Sequence, residues 1–198
     1  MFERLVSYWV YGGLLAGVLL LALSPLLLQD WPQPMAITFM LLPAYMIHQY
    51  EEHESDRFRL FFNKTLGGGF EVLSPMAVFM TNVVLVWGVI SLSLYAAARV
   101  SIGFAFVAAC FVLVNAAVHL VHSLVFRRYN PGLVSAVVVF IPLGIVALIS
   151  ISRWGGSLRA QVLAFAIALV VHASILVYSQ RRLRILRQSA STPSRTMP

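Results

Sequence analysis

The segment His48-Gln49-Tyr50-Glu51-Glu52-His53-Glu54 puts imidazoles and carboxylates within two turns of helix. At about 100° per residue, Tyr45, His48, Glu51, Glu52 and Ser55 share one face, while His53 points about 140° away from His48 and reads as a surface residue. A histidine with carboxylates three and four positions later can grip one cation. The same trio can act as a general acid/base pair in which a carboxylate orients the imidazole. A second group, Asn115, His119 and His122, recurs at i, i+4 and i+7, again on one face. Asn82 and His172 are further polar residues inside apolar stretches.

Those stretches set the surroundings. Hydrophobic residues make up 60% of the 198, charged residues only 11%, and the mean hydropathy is +0.87. Ordinary soluble domains are less apolar and carry about twice the charge, so a water-soluble globule and a disordered chain are both excluded. Six stretches approach the roughly 20 apolar residues of a membrane span: Leu5–Leu28, Met35–Tyr50, Pro75–Ala98, Val100–Phe126, Leu133–Ile151 and Leu158–Ser179. The second is the shortest, and its helix is expected to continue into the acidic stretch. No run alternates as barrel strands do. The expectation is an all-α, polytopic bundle of about six transmembrane helices, one domain over residues 1–187, with a disordered tail over residues 188–198. The first span reads as uncleaved, because it is about twice the length of a signal-peptide core and Pro25 would follow the cut. The single cysteine, Cys110, excludes an intrachain disulfide.

Lysine and arginine orient the bundle. With six spans, eleven of them share the side that holds both termini, and three, Arg99, Arg153 and Arg159, lie on the other. Both termini are therefore expected in the cytoplasm. The pI near 10.2 becomes a topology signal and an attraction to anionic lipid headgroups, not a sign of nucleic-acid binding. Only seven residues are acidic, and Glu51, Glu52, Glu54, Asp56 and Glu71 fall within 21 positions. In this orientation His48, Asn82, His119, His122 and His172 all lie in the cytoplasmic leaflet, although none was used to set it. Polar groups at such depth are expensive and mark function by default. The convergence points to one site, with His48, Glu51, Glu52, His119, His122 and His172 as candidate metal ligands. His48, Glu51 and Glu52 are the candidate catalytic residues, and Tyr45, Asn82 and Asn115 are supporting polar groups.

The order of His48-Gln49-Tyr50-Glu51-Glu52, then Asn115 with His119, then Arg128-Tyr129-Asn130-Pro131-Gly132 resembles the HXXEE-motif family of prokaryotic membrane proteins over roughly residues 40–145. The resemblance implies a multi-span membrane protein whose His and Glu residues have an enzymatic role, with His48, Glu51, Glu52 and His119 carrying the signature. It implies no particular reaction and no metal.

Histidine and carboxylate donors suit zinc or non-haem iron rather than copper(I). The leading expectation is a membrane metalloenzyme acting on a lipid-like substrate, since the site opens within a leaflet. The glutamate that does not ligate would be the general base. The inverzincin order is not met, because Glu52 stands where its second histidine would be, and the diiron Glu-x-x-His pattern is missing. The other readings are a metal-free His/Glu acid–base enzyme of the isomerase kind, a small proton- or metal-coupled transporter, and a structural polar latch between helices.

Overall fold

The computed structural model describes residues 1–191. Among them there are helices and no strand. The principal helices are α1 (Phe2–Leu27), α2 (Gln33–His53), α3 (Arg57–Thr65), α4 (Pro75–Arg99), α5 (Ile102–Phe126), α6 (Leu133–Arg153) and α7 (Leu158–Ser191). All but α2 and α3 are long and apolar enough to cross a membrane. Helix α2 is the remaining expected span. It has the same 21 residues as α6 but carries the polar segment in its last turns, which lowers its hydropathy. It does continue through the acidic stretch, to His53. Helix α7 runs on to Ser191 and so includes positions 188–191, assigned to the tail by sequence. Positions 192–198 lie outside the described residues.

The helices have unequal surroundings. In the most apolar window of α5, 56% of residues are buried, against 17% in α1 and 11% in α7. Helix α5 is therefore axial, and α1 and α7 present most of their surface to lipid. Helices α4 and α6 flank the α2–α5 pair, α1 covers α2, and α7 packs along α5. No hydrophobic effect separates leucine from lipid tails, so such contacts rely on close packing of small residues. Ala105, Ala108, Ala109, Ala116, Ala147, Ala164 and Ala168 supply them along α5, α6 and α7. Gly13 and Gly17 supply them on α1. A Cβ at Gly17 would lie 3.0 Å from Met46 Cβ and 3.1 Å from the Pro43 carbonyl oxygen, and one at Gly13 would lie 3.0 Å from the Trp87 ring.

Two helices are locally widened. Met80–Val86 in α4 and Ala136–Phe140 in α6 form π-helical turns. Such turns often accompany functional sites because they re-aim side chains. Here the first carries Asn82 toward α2, and the second places Phe140 against Tyr45 and His48.

One end of the bundle gathers the basic segments. Arg128 donates to Thr65 (2.6 Å), Arg182 to the Glu71 carbonyl (3.3 Å), and Arg59 to Asp56 (2.7 Å) and Glu71 (2.8 Å). Partly exposed pairs of this kind add little stability, but they hold the 54–74 connection, the 127–132 turn and the end of α7 together. Helix α3 lies at this end. Its Asn63 both donates to the Leu73 carbonyl (2.9 Å) and accepts from the Leu73 amide (2.8 Å), which clamps the Gly67–Gly69 connection beneath it.

The α1–α2 seam generates a prediction. Gly17→Leu overpacks against backbone and is expected to cost ~1–3 kcal/mol, read as a lower unfolding temperature in detergent by tryptophan fluorescence. Gly12→Leu, at an exposed position where an added Cβ meets nothing within 4 Å, should not lower the transition. Equal effects would show that α1 does not pack through this face.

Candidate functional site

The site begins in the last turns of α2. His48 and Gln49 are fully buried, and Glu52 and His53 are each 5% exposed. Burial of a carboxylate at this depth demands compensation. Glu52 meets three imidazoles. Its Oε2 is 3.1 Å from His53 Nε2 and 3.5 Å from His48 Nε2, and its Oε1 is 3.6 Å from His119 Nε2. One ligand atom from each of His48, Glu52 and His119 lies within 4.8 Å of the others, a group that could hold a metal ion.

The outer nitrogens of the two rings explain their aim. His119 Nδ1 is 2.6 Å from Asn130 Oδ1, and the Asn130 amide donates back to the His119 carbonyl (2.9 Å). Since the amide nitrogen is committed to a carbonyl, Asn130 Oδ1 must accept. The network therefore assigns a proton to His119 Nδ1 and a lone pair to its Nε2. His48 Nδ1 is 2.8 Å from Ser135 Oγ, whose hydroxyl proton goes in a short bond to Glu51 Oε2. Ser135 can then only accept from His48, so His48 also carries its lone pair on Nε2. That nitrogen is buried without a hydrogen-bond partner. Two imidazole lone pairs and a carboxylate thus face one point. His53 Nε2, 3.1 Å from Glu52 Oε2, can donate to one side of the carboxylate; the two imidazole lone pairs and the other oxygen are left facing one another, and a cation between them resolves that conflict. Ligands about 2.1 Å from a tetrahedral ion lie about 3.4 Å apart; each imidazole Nε2 lies near that distance from one of the two Glu52 oxygens, His48 at 3.5 Å from Oε2 and His119 at 3.6 Å from Oε1.

The turn after α5 completes the frame. Gly132 has φ +94°, and a Cβ there would stand 2.7 Å from His119 Cε1 and 2.9 Å from His48 Cε1. The bare backbone therefore floors both rings, which meet edge to face with centroids 5.1 Å apart. Phe140, 4.3 Å from the His48 ring centroid, and Tyr45, at 5.5 Å, complete the wall.

Glu51 does not face this group. Its carboxylate accepts from the backbone amides of Val134 (3.1 Å) and Ser135 (2.7 Å), the Ser135 hydroxyl and the Tyr129 hydroxyl (2.8 Å). The amides are unpaired donors at the N-terminus of α6, where a negative charge is favoured. Partial burial, then the neighbouring Glu51 carboxylate, hold the Tyr129 hydroxyl above its ordinary range, so it remains a donor. Adjacent residues on a helix diverge by about 100°, and the start of α6 captures the nearer carboxylate.

The remaining sequence candidates divide. A cavity of about 120 Å³ is lined by Tyr45, Glu52, Asn115, His119, His122 and His172, among others, so these residues do converge. His172 bonds its own helix through the Ala168 carbonyl (2.8 Å) and stacks near Phe111. His122 lies near Phe61 and Phe126. Both line the cavity wall outside the three-ligand group. Asn82 accepts from Gln49 (3.0 Å), which in turn accepts from Trp87 Nε1 (2.7 Å), so it ties α4 to α2. Asn115 Oδ1 is buried without a partner on the cavity. His53, expected at the surface, is buried between Trp9 and Phe58. Helix α1 supplies that cover, which helix-wheel arithmetic on α2 alone could not include.

Asn130, Ser135 and Gly132 were not among the site residues read from sequence. Asn130-Pro131-Gly132 is legible as a turn, and its approach to His119 is not. A family described as "Protein of unknown function with HXXEE motif" matches residues 39–147, more than half of the chain. The chain belongs to this family. No curated protein and no solved structure matches it. In this HXXEE protein the motif's histidine, His48, and its last glutamate, Glu52, meet His119, while the first glutamate, Glu51, braces α6.

The floor of the site can be tested apart from its chemistry. Gly132→Ala combines a left-handed backbone with a collision against two rings and should destabilise by ~2 kcal/mol or more. Gly155→Ala, also left-handed (φ +99°) but in open space, should cost only ~1 kcal/mol. Thermal unfolding of the two variants should separate them, and equal shifts would remove Gly132 from the site.

Proposed function

We propose that this HXXEE protein is an integral membrane enzyme that holds zinc or iron(II) at His48, Glu52 and His119 and acts on a lipid-like substrate. The observation that carries this reading is the convergence of three acceptors, with both histidine Nδ1 atoms committed outward to Asn130 and Ser135. Outer hydrogen bonds of this kind fix ring orientation in metal sites. Two histidines and one carboxylate leave coordination positions open, as catalytic zinc and non-haem iron sites require. Bound there, zinc supplies an acidified water for attack on an ester or amide, and iron(II) supplies oxygen activation. The chain's own residues do the rest. Gly132, Phe140 and Tyr45 keep the rings in place, and Asn115 offers a free acceptor to a substrate group in the cavity. Glu51, engaged by four donors, takes the supporting role rather than that of the base. His53, against Glu52 Oε2, steadies the carboxylate.

In this reading the protein resides in the cytoplasmic membrane with both termini and the site on the cytoplasmic side, following the eleven-to-three distribution of basic residues. The apolar opposite half argues for an enzyme over a transporter. Leu41, Ile90, Phe106, Ala108 and Ile151 are fully buried there, and a transport path needs polar groups through the midplane. The metal-free acid–base reading keeps the same residues and replaces the ion with a proton shared among Glu52 and the histidines.

Metal analysis distinguishes them. Protein purified without a metal-affinity tag should carry close to one zinc or iron per chain by elemental mass spectrometry. His48→Ala, Glu52→Gln and His119→Ala should each reduce that at least tenfold, whereas Glu51→Gln, which reaches His48 only through Ser135, should reduce it less while unfolding at lower temperature. Well-folded wild type without metal, even after incubation with zinc or iron(II), would overturn the metal reading.

A further inference from the structure

Toward the basic end of the bundle the site cavity is bounded by helix α3 and His53. Helix α3 lies across it, with Phe58 and Phe62 forming part of its wall and Phe62 buried. A pocket of about 240 Å³ at that end meets the site cavity only at the buried ring of His53, which lines both. The side facing the bilayer is different. Between α4 and α7 runs a groove of about 310 Å³, lined by Leu73, Ala77, Met80 and Leu85 with Ser174 and Tyr178 at its edge. Thr81 and Ile175 line both this groove and the site cavity. Thr81 and Ile175 therefore separate this groove from the site cavity, whose lining also includes the outward-facing Val118 and Leu176. Thr81 lies in the π-helical turn of α4, and Ile175 lies on α7, the least buried of the spans.

We infer that this groove is a lateral portal, gated by Thr81 and Ile175, through which the hydrocarbon chain of a lipid reaches the site. The groove walls are apolar, which suits an acyl or prenyl chain and repels a polar metabolite. Arg181, one turn beyond Tyr178 on α7, sits where an anionic headgroup would remain at the interface. Within the site group, His119 stands seven residues before the end of α5 at Phe126, about 10 Å along the helix. The reacting position would then lie along the chain rather than in the headgroup. This inference rests on the reading of the site as one that acts on a membrane ligand, and it adds the route and the part of the substrate that reacts.

Photolabelling tests the portal independently of the metal. The full-length protein in liposomes is irradiated with a diazirine-bearing fatty acid, and adducts are mapped by mass spectrometry. Wild type should be labelled at Tyr45 and Phe111, which are 2% and 1% exposed and line the cavity. Ile175→Trp should reduce that labelling at least fivefold while leaving labelling at the lipid-facing Leu124 unchanged. Thr81→Phe serves as a second plug should the first fail to fold. No interior label in wild type, or interior labelling that survives a plug in folded protein, overturns the portal. Metal content is measured on the same samples. Portal-dependent labelling in metal-free protein would leave the portal standing and remove the metal reading. Bound metal without interior label would do the reverse.

Discussion

The constraint on which the rest of this bundle depends is the burial of Glu52. An ionised carboxylate removed from water costs several kcal/mol unless its surroundings restore the lost interactions. Water cannot do so in the middle of apolar helices, so protein groups from several elements must. His48 and His53 come from the same helix, His119 from α5, and the cover from α1, α3 and α6. Each of those contributions fixes an orientation. Helix α2 must present its last turns inward. Helix α5 must stop soon after His119, so that the following turn can bring Asn130 back to it. Helix α1 must approach closely enough for Trp9 to cover His53, which is what Gly13 and Gly17 permit.

The paired glutamates show how one helix end serves two structural demands. Glu52 points into the bundle and Glu51 across it, toward the start of α6. The second contact is a capping interaction made by another helix, in which a carboxylate meets unpaired amides. It also reaches the site, because Ser135 lies between Glu51 and His48. The Glu51–Ser135–His48 chain thus links the α6 terminus to the tautomer of the His48 ring without any further residue. A change in Glu51 would be felt at His48 through that serine, which is why a supporting residue sits inside a motif next to a ligand.

Much of this arrangement was legible in the sequence, and what was not has a common physical cause. The apolar runs place the long helices, and spacing at i+4 puts His48 and Glu52 on one face. The basic residues sort the helix ends, and through them His119 comes to the same level as His48. These are properties of single helices. Asn130, Ser135, Gly132 and His53 depend on how helices meet. Asn-Pro-Gly announces a turn but not the imidazole beneath it. Ser135 resembles any serine near a helix start until Glu51 and His48 are seen on either side. His53 lies about 140° from His48 on the wheel, yet the Glu52 side chain reaches both rings. Grouping Glu51 with Glu52, and His122 and His172 with the ligands, follows from counting turns, since proximity on a wheel does not say which partner captures a side chain first.

The same accounting bears on whether the cluster is only a latch between helices. A structural polar network lowers its energy by matching donors with acceptors, and a half-satisfied network is worse than an apolar core. The Gln49–Asn82–Trp87 contact in this protein has that matched form, since each polar atom that faces another is of the opposite kind. The group at Glu52 is built the other way. The Nδ1 protons of His119 and His48 are spent on Asn130 and Ser135 at the outside, their lone pairs are turned toward the carboxylate, and His53 faces it from the other side. A positive charge at the meeting point, an ion or a shared proton, completes the pairing, and that requirement, more than the presence of histidines in a membrane, is what supports reading it as a binding site.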